Sequence, residues 1–447
     1  MENNTQLKEM IRSMVIDILQ GQKQEMASSQ PIKQAPRGQF EPGVFDTVDE
    51  AIQAAKAAQA RFEDCTLATR EKVIADIRAA MRPRVQELAQ KTVDETGMGR
   101  VADKVLKLNL TLDKTPGVED LVTECETGDN GMTLYELSAY GVIGAVTPST
   151  NPAETLICNT IGMLAAGNAI FFSVHPGAKH LSRLLVSELN QIIAKSIGIE
   201  NLIVTLREPS IESAQEMMLH PDVSLLVVTG GPGVVKQALQ SGKKVIGAGA
   251  GNPPAFVDET ADIKKAAQDI VLGASLDNNI LCIAEKSVVA MRQIEPQLVQ
   301  EMVKAGCVLL ENQQDIQRLV DLTVLPNGTP NKKFVGKNAS VILDAAHIPY
   351  NGDPRLIIMR APKNHPFAVI EMLMPILPVV TVDSFDEGLD VCLMLEAGLH
   401  HTATMHSLNM ERLNRMARKM KTSIFVKNGP SYAGLGFSGE GTTTFTI

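Results

Sequence analysis

The sequence has no tryptophan, and only four tyrosines and twelve phenylalanines in 447 residues. So few rings leave little for base stacking, which argues against a single-stranded nucleic-acid binder. Basic residues are the minority, 42 against 51 acidic ones for a formal charge of −9, whereas general nucleic-acid affinity rests on Lys and Arg against phosphate. Long apolar runs are missing as well. A stretch such as Thr155–Ile170 is interrupted by Asn and Gly and is too short to span a bilayer. The six cysteines, Cys65, Cys125, Cys158, Cys282, Cys307 and Cys392, form no CxxC pair. With no secretory signal in the sequence, this sparse usage fits a reducing, cytoplasmic compartment.

What is present is ordinary globular material, 44% hydrophobic and 21% charged, in a length that suits two or three domain-sized pieces. Residues Thr5–Gln20 place Leu7, Met10, Ile11, Met14, Val15, Ile18 and Leu19 on one helical stripe, with Thr5 as a candidate N-cap. Residues Gly21–Gly43, rich in Gln, Ser, Pro and Gly and without a period, read as a linker. The helix either packs on the body as an ordinary first helix or docks on a partner helix or shell. The linker favours docking.

The body alternates helical and strand patterns. Val48–Phe62 and Ala68–Glu95 read as two helices. Tyr140–Thr147, Ala169–Val174, Leu202–Thr205, Leu225–Val228 and Lys244–Ile246 read as strands, each followed by a helical segment. That alternation predicts an α/β architecture with a mostly parallel, doubly wound sheet. A second α/β stretch runs from about Asn252 to Lys427, and the tail Gly434–Ile447 alternates Thr and Phe as a terminal strand would.

Two glycine clusters compete for a nucleotide. Gly247-Ala248-Gly249-Ala250-Gly251 is followed by Asn252-Pro253-Pro254 and not by a helix, so it lacks the geometry of a dinucleotide fingerprint. Val228-Thr229-Gly230-Gly231-Pro232-Gly233 leads into a plausible helix whose N–H groups could face a phosphate, although a tight strand-to-helix turn explains it equally well. Cys282 follows a polar turn, Ser275–Asn279, where backbone donors would lower its pKa, while Cys158, Cys307 and Cys392 lie in apolar patterns and read as core. His400, His401 and His406 do not make a metal site: on a strand His401 and His406 point to opposite faces, and on a helix they stand about 140° apart. No metal is expected.

In order and spacing, several segments together resemble the aldehyde dehydrogenase superfamily over roughly residues 44–447. They are Thr147-Pro148-Ser149-Thr150-Asn151-Pro152, Ala165-Ala166-Gly167-Asn168, Val228-Thr229-Gly230-Gly231, Gly249-Ala250-Gly251-Asn252-Pro253-Pro254, the Cys282 loop, and Glu371-Met372-Leu373-Met374-Pro375-Ile376-Leu377-Pro378. Within the superfamily the chain looks like the CoA-acylating propionaldehyde and acetaldehyde dehydrogenases of bacterial microcompartments, and its N-terminal helix and linker resemble their encapsulation peptide.

The resemblance implies a Rossmann-type NAD/CoA-binding domain over residues 44–247 and an α/β catalytic domain over 248–427. It also implies an oligomerisation arm around 122–139 and a C-terminal return with an oligomerisation strand over 428–447. Cys282 falls on the family nucleophile, which forms a thiohemiacetal and then a thioester. Asn151, displaced by one position by Thr150, falls near the side-chain amide that joins the Cys282 N–H in binding the oxyanion. Glu371 matches the residue that binds the nicotinamide ribose, and His175 stands where hydrolytic members have a lysine near the adenosine ribose. Thr147, Pro148, Ser149, Thr229, Gly230, Gly231 and Gly249 fall along the cofactor cleft. Hydrolytic relatives carry a glutamate as general base for the deacylating water, and here that position is Ala248.

The implied activity is oxidation of a short aldehyde with NAD and coenzyme A to acyl-CoA, in the lumen of a microcompartment, by a homodimer or homotetramer. Residues 5–20 would engage shell or core proteins. A hydrolytic dehydrogenase and a non-catalytic scaffold are the rival readings. The family chain continues beyond the Thr-Thr-Phe-Thr-Ile segment with which this sequence ends.

Overall fold

Strands that are buried on both faces read as unbroken apolar runs, and two sets of them build two parallel sheets in the computed structural model, which describes residues 41–446. The expected docking helix at 5–20 and the linker up to residue 40 lie outside the described residues.

In chain order the strands are β1 (Val44–Phe45), β2 (Glu124–Gly128), β3 (Gly131–Tyr135), β4 (Val142–Thr147), β5 (Ala169–Val174), β6 (Ile203–Leu206), β7 (Val223–Thr229) and β8 (Lys244–Ala248). They continue as β9 (Pro254–Val257), β10 (Ser287–Met291), β11 (Cys307–Leu310), β12 (Leu356–Arg360), β13 (Ile376–Val382), β14 (Thr402–His406) and β15 (Ile424–Lys427). The first sheet has the order β1-β6-β5-β4-β7-β8 and the second β11-β12-β13-β10-β9-β14-β15, with every pairing parallel. Strands β2 and β3 form a separate antiparallel hairpin.

Central position explains β5: all six residues of Ala-Ile-Phe-Phe-Ser-Val are buried under helices on both faces. The edge strand β8 leaves Lys244, Ile246 and Gly247 exposed. In the first sheet the chain steps outward from β4 through β5 to β6, then crosses back to β7 and β8. The switch point therefore lies between β4 and β7, where the C-terminal ends of an open α/β sheet leave a crevice.

Two expectations need correction, and one helix had no counterpart among them. The segment Ala68–Glu95 is not one helix: Leu67–Met81 and Val85–Thr96 are separated by a 3-10 turn at Arg82-Pro83-Arg84, because a proline ring inside a helix clashes with the preceding turn. A further helix, Val101–Lys114, escapes a hydropathy reading. Its fully buried stripe includes Lys104, Lys107 and Thr111, so the period carries polar residues where apolar ones are expected. The tail beyond Leu435 is not a strand. Residues 442–446 run irregularly over the end of the helix Val101–Lys114 and the end of β7: Thr443 N–H donates to Lys114 O at 2.9 Å, and the Thr446 and Thr229 hydroxyls lie 2.9 Å apart. A strand needs a neighbouring edge to pair with, and residues 442–446 instead spend their polar groups on these side contacts.

Candidate active site

Parallel register brings the expected cofactor residues onto one line. Val146 pairs with Val228, Thr147 with Val174, and Thr229 with Ala248, so β5, β4, β7 and β8 all end together. The residues that follow those ends are His175, Pro148, Gly230 and Gly249, with Ser149 and Gly231 one step further. Gly231 opens the helix Pro232–Gln240 without a side-chain cap, leaving first-turn N–H groups free for an anionic ligand. Residue type supports the same use, since Thr147 Oγ is buried without a hydrogen-bond partner. His175 caps the 3-10 turn Pro176–Ala178, its Nδ1 accepting from Gly177 N–H at 3.0 Å. Nδ1 is thereby an acceptor, which puts the proton of the neutral ring on Nε2. A dinucleotide fits this edge by its exposed backbone donors.

The second sheet presents its opposite edge. Residues 249–253 link the end of β8 to the start of β9, so the C-terminal edge of one sheet runs directly into the N-terminal edge of the other. Just before four adjacent strands of that edge, β13, β10, β9 and β14, stand Glu371, Cys282, Gly251 and His401. Gly251 N–H donates to Glu371 Oε1 at 3.3 Å. A Cβ on Gly251 would lie 2.8 Å from Cys282 O and 2.8 Å from His401 Cγ, so only glycine allows the Cys282 loop and the His401 ring to approach this closely.

The turn before Cys282 is unusual. Asp277, Asn278 and Asn279 all have positive φ, at 50°, 57° and 66°. Asp and Asn tolerate that region better than other residues with a Cβ, and each is tied down. Asn278 Nδ2 donates to Gly336 O and Asn338 Oδ1, both at 2.8 Å, and Asn279 Nδ2 donates to Ala274 O at 2.7 Å. Lys286, buried at the start of β10, donates from one ammonium to Asn279 O and Asn279 Oδ1 at 2.7 Å and to Leu281 O at 2.9 Å. Burial pushes its pKa down to about 8. Nearby, Glu285 accepts from Ser431 N–H and Ser431 Oγ at 2.8 and 2.7 Å, and burial pushes its pKa up to about 7.

Cys282 itself is half-buried and packs against an apolar cluster that includes Leu110, Cys158, Leu281 and Phe445. Its thiol is not activated by the loop, contrary to expectation. Burial, and next the Glu371 carboxylate, push its pKa up to about 11, against the smaller pull of Lys286 and the backbone donors. Removing the neighbouring charge must then lower it. Glu371→Gln is expected to speed iodoacetamide alkylation of Cys282 at pH 8 by up to about tenfold, the change in thiolate fraction per pKa unit. A rate unchanged or slower than wild type would contradict this arrangement of charges.

Asn151 caps the helix Pro152–Ala165 by position, but its carboxamide looks inward. Oδ1 accepts from the Lys107 ammonium, and Nδ2 lies 3.3 Å from Thr150 Oγ. Sequence reasoning did not single out Lys104, Lys107, Asp277, Glu154 or Lys286, and treated His401 only as a metal candidate. His401 and His406 stand at opposite ends of β14, and the His401 Nδ1 lies 2.9 Å from Thr402 Oγ. The Asp-Asn-Asn run was the one available signal, since three αL-tolerant residues in a row mark a strained turn.

The chain belongs to the aldehyde dehydrogenase family, whose model matches residues 18–444. It is 50% identical over 446 residues to a CoA-propanoylating propanal dehydrogenase of Salmonella typhimurium, covering all of this chain and 94% of that one. Among solved structures it resembles Rhodopseudomonas palustris propionaldehyde dehydrogenase with bound CoA and an acylated cysteine, at TM-score 0.89 and 48% identity over 91% of this chain and 93% of that one. It also resembles a propionaldehyde dehydrogenase from the Clostridium phytofermentans fucose utilisation bacterial microcompartment, at TM-score 0.89 and 46% identity, again over 91% and 93%.

Proposed function

We propose that this protein oxidises a short-chain aldehyde, propanal or acetaldehyde, with NAD and coenzyme A to acyl-CoA and NADH. One observation carries the reading: a half-buried cysteine stands on the edge of one sheet, at the crevice where the other sheet ends beside a helix N-terminus with no side-chain cap. Cys282 is the nucleophile. Its Sγ attacks the carbonyl carbon as the thiol proton passes to water, and the oxyanion accepts from the Cys282 N–H and from Asn151 Nδ2. Thr147, Pro148, Ser149, His175, Thr229, Gly230, Gly231 and Gly249 would hold NAD, with Glu371 on its ribose, and the cofactor would supply the hydride acceptor there. The acyl group is left on Sγ as a thioester, which the thiol of coenzyme A attacks while Cys282 departs as thiolate. Ala248, buried at the end of β8, offers no carboxylate to activate water there.

The deciding experiment supplies propanal and NAD with and without coenzyme A and quantifies both products. Propanoyl-CoA equal to the NADH formed supports the reading. Propanoate formed without coenzyme A would replace it with a hydrolytic activity.

The same reading places the enzyme in a microcompartment lumen, with residues 5–20 docking on shell or core proteins, and as a homodimer or homotetramer. The β2–β3 hairpin supports oligomerisation. It belongs to neither sheet and exposes Met132, Leu134 and Tyr135, a surface suited to a partner subunit. Deleting residues 1–20 is expected to leave specific activity within about twofold, because none of the residues assigned to the chemistry lies there, and to abolish co-purification with compartments. Undiminished loading would remove the docking role.

A further inference from the structure

The helix Val101–Lys114 buries two lysines completely, and both point at the loop that carries Cys282. Lys107 Nζ lies 2.5 Å from Asp277 Oδ2 and 3.0 Å from Glu154 Oε1, and it donates to Asn151 Oδ1. Lys104 Nζ lies 3.0 Å from the same Asp277 oxygen and donates to Thr150 O at 3.1 Å. Asp277 Oδ1 accepts from Arg100 N–H at 2.8 Å, and Asp277 N–H donates to Asp103 Oδ2 at 3.0 Å. Asp103 in turn pairs with Arg355 at 3.2 Å. Three carboxylates thus meet three cations.

Stability alone is a poor reason for such a cluster, because buried ion pairs seldom recover the cost of leaving water. Burial opposes the charge on both sides of the Lys107–Asp277 pair, yet mutual attraction outweighs it: the lysine's pKa is held up and the carboxyl's down. The pair stays ionic. Two local consequences follow. A lysine has only donors, so whatever faces it must be an acceptor. The Asn151 carboxamide is therefore fixed with its oxygen toward Lys107 and its NH2 turned away, where Thr150 Oγ occupies one direction only. The second consequence concerns the left-handed turn: a strained backbone persists only where its surroundings over-determine it, and Asp277 is its first and most heavily tied residue.

We propose that Lys107 is a positioning residue whose single ammonium sets both partners of the chemistry, the Asn151 donor directly and the Cys282 turn through Asp277. The proposal rests on the reading of Cys282 as nucleophile and Asn151 as oxyanion donor.

A double-mutant cycle tests it, using the full chain, propanal, NAD and coenzyme A. Asn151→Ala is expected to lower kcat by about 10²-fold, the usual loss for one oxyanion donor. Lys107→Met should give a similar loss in kcat, with little change in KM for NAD. Because the two act as one unit, Lys107→Met/Asn151→Ala should fall within about twofold of the worse single variant. Losses that multiply would make Lys107 a merely structural cation and overturn the proposal, as would full activity in Lys107→Met. Should Lys107→Met lack a cooperative melting transition, Lys107→Arg goes through the same cycle. It keeps the charge for Asp277 and Glu154, but a planar guanidinium cannot stand as one centre among three oxygens, so kcat should fall without additivity, and additive or absent losses overturn the proposal. Failure of the underlying reading looks different: it shows as wild-type NADH formation that ignores coenzyme A, as an active Cys282→Ala, or as a fully active Asn151→Ala.

Discussion

Cys282→Ala is expected to form no NADH from propanal with NAD and coenzyme A both present, a loss of at least about 10³-fold in kcat, as befits removal of a covalent nucleophile. Access singles out this cysteine. Cys158, Cys307 and Cys392 are buried in the cores, and burial raises all three pKa values, that of Cys307 to about 12. Cys125 is exposed on the hairpin strand β2, and Cys65 follows the first helix, whose last turns bond Gly167 O and Gly198 O ahead of β5 and β6, at the end of the first sheet opposite the crevice. Cys282 alone combines partial exposure with a place at the crevice. Because alanine removes only a sulfur from a half-buried site, the variant should melt within a few degrees of wild type and still quench NADH fluorescence on binding. Residual turnover above that threshold would move the nucleophile elsewhere.

The second large effect is expected when coenzyme A is left out. NADH should appear as a burst of about one equivalent per Cys282 and then stall, because a positioned general base contributes about 10² to 10⁴ in rate and Ala248 provides none. The carboxylate that acts on the Cys282 thiol, Glu371, is engaged by Gly251 N–H. Stopped-flow recording of NADH separates the burst from steady turnover, and adding coenzyme A should restart it at once. Linear NADH formation without coenzyme A, accompanied by free acid, would show that another group activates water.

Much of this was legible from residue order. Unbroken runs such as Ala169–Val174 belong to strands covered on both faces, and the prolines after Gly251 correctly spoke against a helix there. The failures share a cause, since each depends on groups distant in sequence. The stripe Lys104, Lys107, Leu108, Thr111 looks unfit for a core until Asp277 and Glu154 meet it from other elements. The thiol of Cys282 was expected to be acidified by its loop, but burial and Glu371, 89 positions on, push the other way. Thr442–Thr446 has the alternation of a strand, yet pairing depends on an edge that no local pattern supplies.

The left-handed turn has a consequence for the sequences this fold can accept. Each residue with a Cβ costs about 1–2 kcal/mol in that conformation, so alanine at 277, 278 or 279 keeps the strain and loses the bonds that hold it. Glycine relieves the strain but also drops those bonds, Asp277 to both lysines among them. A saturation screen should therefore record three intolerant positions whose side chains are buried, and Asp277 should reject even glycine. Selection for activity would read there as selection for backbone shape.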